Sequence, residues 1–149
     1  MNSAVIAFLL ISSIFGILLI PLSTIAVASA TAMNKPTSGG SLNVVVQPSP
    51  YPIIKGKQTN LKVSFDQKGT STVQPHIDYD IIISKAGKQL FNAVTLAGQS
   101  GPSLHTSEGI VTIPYTFQES GIYSVKVTVY GILFNPINPE SVQFQVSVT

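Results

Sequence analysis

Toward the end of this 149-residue chain, apolar side chains fall on every second position for long runs, and that period of two leaves little besides β-structure open. Tyr123, Val125, Val127 and Val129 alternate with Ser124, Lys126 and Thr128. Val142, Phe144, Val146 and Val148 alternate with Gln143, Gln145 and Ser147, and Leu61, Val63 and Phe65 with Lys62 and Ser64. Half-buried antiparallel strands leave this pattern. Four further short runs, at residues 42–46, 77–83, 89–94 and 110–117, bring the expectation to about seven strands separated by Pro- and Gly-containing turns. No stretch after Ser41 sustains a helical period. The expected fold is all-β, a two-sheet antiparallel sandwich. Pro48, Pro50 and Pro52 at the exit of the first run, and Pro114 within the fifth, mark those strands as edges or bulged.

The N-terminal part reads differently. Residues 4–30 are uncharged and mostly apolar, and the first charged side chain is Lys35. Such a segment is long enough to cross a bilayer, so an N-terminal hydrophobic helix is expected here. Two uses compete: a signal peptide cleaved after Ala28-Ser29-Ala30 or Ala26-Val27-Ala28, and a retained membrane anchor. Cleavage is favoured because Ala, Ser and Thr dominate residues 23–32. Residues 31–41 (TAMNKPTSGGS) have the composition of a flexible linker, and residues 42–149 are expected to form the sandwich. In either use the folded part works outside the cytoplasm, secreted or held at the cell membrane.

Without cysteine, the exported domain has neither disulfide nor lipid-bearing thiol, and its stability rests on the apolar core. The net charge of +2 comes from scattered lysines, with no arginine. Arginine's planar fork is the usual tool for phosphate and base recognition, so nucleic acid is not expected as a partner.

The segment Gly121-Ile122-Tyr123-Ser124-Val125-Lys126-Val127, entered through Glu119-Ser120-Gly121, resembles the sixth strand of an immunoglobulin-like domain. In that family a tyrosine here hydrogen-bonds back to the preceding corner, a structural role that the resemblance gives to Tyr123. Val125 stands at the family's cysteine position and the chain has no tryptophan, which sets it apart from antibody-type domains. The segments Gln74-Pro75-His76-Ile77-Asp78-Tyr79-Asp80, Leu104-His105-Thr106-Ser107-Glu108-Gly109, Ile113-Pro114-Tyr115-Thr116-Phe117 and Gly131-Ile132-Leu133-Phe134-Asn135-Pro136-Ile137 carry a closer likeness. They resemble exported immunoglobulin-like or fibronectin-like β-sandwich proteins of archaeal cell surfaces, specifically of ammonia-oxidising archaea. That group implies a fold and a surface location and brings no assigned activity.

His76, Asp78 and Asp80 occupy alternate positions and are expected on one strand face, opposite Ile77, Tyr79, Ile81 and Ile83. If successive strands reverse direction, the loops at 67–75, 97–108 and 131–140 emerge at one end of the sandwich. His76 and His105 then become neighbours, with Asp78 and Glu108 nearby, a ligand set suited to copper or zinc. The competing structural reading makes these ordinary polar residues, with Asp78 and Asp80 paired to Lys126 or another lysine across the sheet. Residues 42–149 lack methionine and cysteine, which excludes a blue-copper site. In the expected loop 131–140, Ile132, Leu133, Phe134 and Ile137, stiffened by Pro136 and Pro139, either plug the end of the sandwich or form an apolar recognition surface around Phe134, Ile132 and Ile137, a choice that the exposure of Phe134 decides.

No nucleophile elbow, phosphate-binding glycine loop or paired-carboxylate arrangement is present in the sequence, and Ser107 beside His105 reads as a turn residue. The expected function is therefore that of a non-enzymatic extracytoplasmic module with no resident cofactor, serving protein interaction or cell-envelope structure through an envelope or surface protein. Copper or zinc binding through His76 and His105 is the alternative. A third arrangement is a pilin-like filament subunit, for which Met1-Asn2-Ser3 lacks the charged leader.

Overall fold

Alternating burial in the sequence becomes two packed layers in space. The computed structural model describes residues 31–149. Its elements are β1 (Met33–Pro36), β2 (Leu42–Ser49), β3 (Gln58–Gln67), β4 (Ile77–Lys85), β5 (Lys88–Asn92), α1 (Ala93–Leu96), β6 (Leu104–Thr106), β7 (Ile110–Thr116), β8 (Gly121–Ile132) and β9 (Asn135–Val148). One antiparallel sheet has the order β1-β2-β3-β7 and the other β5-β4-β8-β9. The short β6 lies beside the first residues of β4, on the edge that β5 occupies farther along. The expected N-terminal hydrophobic helix, its cleavage and its anchoring fall in residues 1–30, outside the described residues. Among the described residues no helix is long and apolar enough to cross a membrane.

Every alternating residue named for the inner face is buried: Leu61, Val63 and Phe65 on β3, Tyr123 to Val129 on β8, Val142 to Val148 on β9, and Ile77, Tyr79, Ile81 and Ile83 on β4. Burying a side chain of this size contributes roughly 1.5–3 kcal/mol, and no disulfide supplements that core. Phe91, Tyr115, Phe117 and Tyr123 form an edge-to-face chain with centroids 5.7, 4.8 and 4.9 Å apart. That is the arrangement their ring quadrupoles favour. The Tyr123 hydroxyl donates to the Glu119 carbonyl at 3.0 Å and accepts from the Glu119 N–H at 3.2 Å, fastening the corner before β8.

Four sequence expectations are corrected. The described residues contain nine strands rather than about seven, because β1 and β6 form from residues with the composition of linker and loop. The run 89–94 stops as a strand at Asn92, whose Oδ1 accepts the Thr95 N–H at 2.7 Å and starts the helical turn α1; an Asn cap competes well with strand continuation. Residues 131–140 are not a loop, since β8 and β9 run on to a two-residue turn at Leu133-Phe134. Finally, the first long strand is no free edge, because β1 pairs with it from Asn43 to Val46. Pro48 lies just past that pairing, while Pro114 does sit on an edge strand, β7.

Residues 37–41 are held as firmly as β1. Glu140 accepts the Thr37 hydroxyl, the Ser41 hydroxyl at 2.6 Å and the Ser41 N–H at 3.1 Å. A Cβ on Gly39 would land on the Glu140 carboxylate, so the glycine permits this close approach. Burial pushes the Glu140 carboxyl up, but the hydrogen bonds from Ser41, Thr37 and the Gly39 backbone outweigh it and hold the group below its ordinary value of 4.5. A depressed carboxyl contributes stability above the unfolded value and loses it as pH falls through the folded one. Amide exchange of residues 33–41 is therefore expected to be slow at neutral pH and to accelerate, relative to β8, as the solution is acidified below about pH 4.5. Glu140→Ala should bring the fast exchange to neutral pH and cost about 1–2 kcal/mol; protection unchanged in that variant would show that the latch does not hold β1.

Candidate functional site

One end of the sandwich is built where β4 begins, β6 passes and the β8–β9 hairpin turns. His76 precedes β4 in a left-handed backbone conformation, φ 53°, which a non-glycine residue adopts only when its surroundings enforce it. Its N–H donates to the Ser107 carbonyl at 3.3 Å and its carbonyl accepts the Leu133 N–H at 2.8 Å. His76 is thus clamped between the end of β6 and the tip of the hairpin. It therefore lies outside β4, which begins at Ile77, and not within the strand as alternation predicts.

β6 brings the second histidine. Asp78 and His105 are register partners on β4 and β6, and His105 Nδ1 lies 2.8 Å from Asp78 Oδ1. On the other flank of β4, Asp78 is opposite Gly131, made possible by a bulge at Tyr130 in β8. A Cβ at residue 131 would overlap the Asp78 carboxylate, so the glycine gives that side chain its room. His105 Nε2 then points toward His76, 3.4 Å from its Nδ1.

Phe134 caps this pair. Its ring centroid is 4.2 Å from that of His76 and 5.5 Å from that of His105, the latter stacked at 16°. The two turn residues, Leu133 (φ 51°) and Phe134 (φ 65°), both take left-handed conformations that tight hairpins usually fill with Asn or Gly. Large apolar residues there cost about 1–2 kcal/mol each. Both are exposed nonetheless, Leu133 by 49% and Phe134 by 69%. The plug reading fails for Phe134, whereas Ile132 and Ile137 are half-buried and pack against the core. A pocket of about 440 Å³ opens beside the pair, lined by Asp78, Tyr79, Gln99, Ser103, Leu104 and His105.

The remaining sequence candidates lie elsewhere. Glu108 is exposed in the turn between β6 and β7 and takes no part in the hydrogen bonds that join the two histidines and Asp78. Asp80 is buried, accepting from Asn92 Nδ2 at 2.8 Å and from the Ile81 and Val94 N–H groups, and so it is paired with neither Lys126 nor another lysine. Among the described residues the ion pair between permanently charged side chains is Lys85–Glu119, while His105–Asp78 is a 2.8 Å hydrogen-bonded contact, and no group of three or more His, Cys, Asp or Glu residues converges to hold a metal. The sequence marked Leu133 among the apolar residues of 131–140, but alternation and composition did not point to the role of Gly131. Asn135 and Pro136 after Leu133-Phe134 were the available signal for a tight turn. A second pocket, about 540 Å³, lies at the opposite end and includes Lys85, Lys88, Leu90, Tyr115 and Tyr123. No protein-family model, curated protein or solved structure matches the chain.

Proposed function

We propose that the chain is a non-enzymatic, extracytoplasmic immunoglobulin-like module that recognises another protein of the cell envelope through the tip of its β8–β9 hairpin. The observation that carries this reading is the exposure of Leu133 and Phe134 on a strained two-residue turn. Strain kept at an exposed apolar tip is explained by what the tip does, since Asn and Gly would close the same turn at lower cost. The tip is also rigid, pinned by the Leu133–His76 backbone bond and by Asn135 Nδ2 donating to the Leu133 carbonyl at 2.9 Å. A pre-ordered aromatic anchor loses little entropy when it is buried in a partner. The charge-free N-terminal segment and the likeness to archaeal surface proteins support the location, and the Tyr123 corner supports the immunoglobulin-like plan.

The test separates folding from recognition. Replacing Leu133 by Asn and Phe134 by Gly supplies the residues the turn prefers, so the melting temperature should hold or rise by a few degrees. Retention of the protein on isolated envelope fractions should fall at least tenfold. Equal retention of the variant and the parent would refute the tip as the recognition surface.

A further inference from the structure

We propose that His76 and His105 form a two-imidazole site for a first-row divalent ion, zinc or copper(II), with His76 Nδ1 and His105 Nε2 as the protein ligands and the outward positions taken by water.

The nitrogens already stand at the right separation. Two imidazole nitrogens bound at about 2.0–2.1 Å to a tetrahedral ion lie about 3.3–3.4 Å apart; here they are 3.4 Å apart. The ring centroids are 5.6 Å apart, so these two nitrogens lie between the rings and face each other. As a hydrogen bond, 3.4 Å is long and weak.

Asp78 settles which His105 nitrogen is free. A carboxylate oxygen at 2.8 Å accepts a hydrogen bond and so favours the tautomer with the proton on Nδ1, in which the Nε2 lone pair is directed at His76. A carboxylate behind an imidazole is the usual outer support of a metal-bound histidine, fixing its tautomer and raising its basicity. Asp78 is thereby a positioning residue and not a ligand. The site is reachable, since the His105 and Asp78 side chains are 40% and 34% exposed. Neutral imidazole suits zinc and copper(II), and no thiolate competes for the ion. Phe134 over both rings shields one side and limits their rotation.

Calorimetric titration of the untagged full chain in non-ionic detergent, with zinc chloride and separately with copper(II) sulfate, tests the proposal. One ion per chain is expected for at least one metal, and the metal that binds more tightly identifies the preference. His76→Asn, chosen because Asn tolerates the left-handed backbone, and His105→Gln should each weaken binding at least tenfold. Asp78→Asn should weaken it about tenfold by removing the support, and Glu108→Gln should leave it unchanged. The copper-loaded parent should show electron paramagnetic hyperfine structure from two nitrogens, a readout independent of whether any variant folds. No binding of either metal, copper binding without that structure, unchanged titrations in both histidine variants, or a loss in Glu108→Gln equal to theirs would overturn the assignment. Envelope retention is measured separately and does not depend on the outcome.

Discussion

Gly109→Ala is expected to lower unfolding stability by about 3 kcal/mol, a drop of roughly 10 °C or more in melting temperature for a domain of this size. Gly109 links β6 to β7 with φ +69°, and a Cβ there would run into the Gln74 carbonyl, with the Gln74 carbonyl carbon and Val73 Cγ1 each 2.8 Å away. Neither the carbonyl nor the glycine can retreat easily. The Gly109 carbonyl accepts the N–H of the fully buried Phe65 at 3.0 Å, and the Phe65 carbonyl accepts the Gln74 N–H at 2.7 Å. Gly56 supplies the comparison: its φ is +73°, yet nothing lies within 4 Å of the place a Cβ would take. Gly56→Ala should therefore cost only the left-handed backbone penalty, about 1 kcal/mol. Urea titration of the two variants isolates the steric part as their difference, and equal losses would show that the close approach at Gly109 carries no energy. Because Gln74 precedes His76 by two positions and Gly109 follows His105 by four, the glycine also sets how the two histidine-bearing segments meet.

The parts of this fold that were legible in the sequence are those fixed by near neighbours. Alternation within β3, β8 and β9 marks the inner face because side-chain direction depends only on strand geometry. The meeting of His76 and His105 was accessible from strand parity alone. What the sequence hid depends on distant partners. Residues 31–41 have the composition of a tether, yet residues 33–36 pair with β2 and residues 37–41 are bound by Glu140, which is 103 positions from Thr37. The three residues of β6 are too few to show a period, and they form a strand because β4 offers a free edge. By alternation Asp80 reads as a surface acid. It is buried because Asn92, at the end of the neighbouring strand β5, and Val94 of α1 close on its carboxylate, a covering no local pattern announces.

Asp80→Ala should have an effect of similar size, about 3 kcal/mol, for a different reason. The side chain is 6% exposed and gathers three donors: Asn92 Nδ2 at 2.8 Å, the Ile81 N–H at 2.8 Å and the Val94 N–H at 3.4 Å. Alanine removes the acceptor and leaves those donors in a region that water reaches poorly, where each unsatisfied group costs about 1–3 kcal/mol. Asparagine at this position tests the mechanism more sharply. Its Oδ1 can still serve the two backbone N–H groups, but its amide nitrogen would then face Asn92 Nδ2, donor against donor. Asn92 cannot relieve this by flipping, because its Oδ1 caps α1 by accepting the Thr95 N–H at 2.7 Å. Asp80→Asn is therefore expected to fall between the parent and Asp80→Ala, at about 1–2 kcal/mol. Adding Asn92→Ala to Asp80→Asn should cost less than adding it to the parent, since the donor conflict disappears with the amide. Strict additivity in that double-mutant cycle, measured by urea denaturation, would show that Asp80 and Asn92 act independently and that the packing of α1 on β4 rests on its apolar contacts alone.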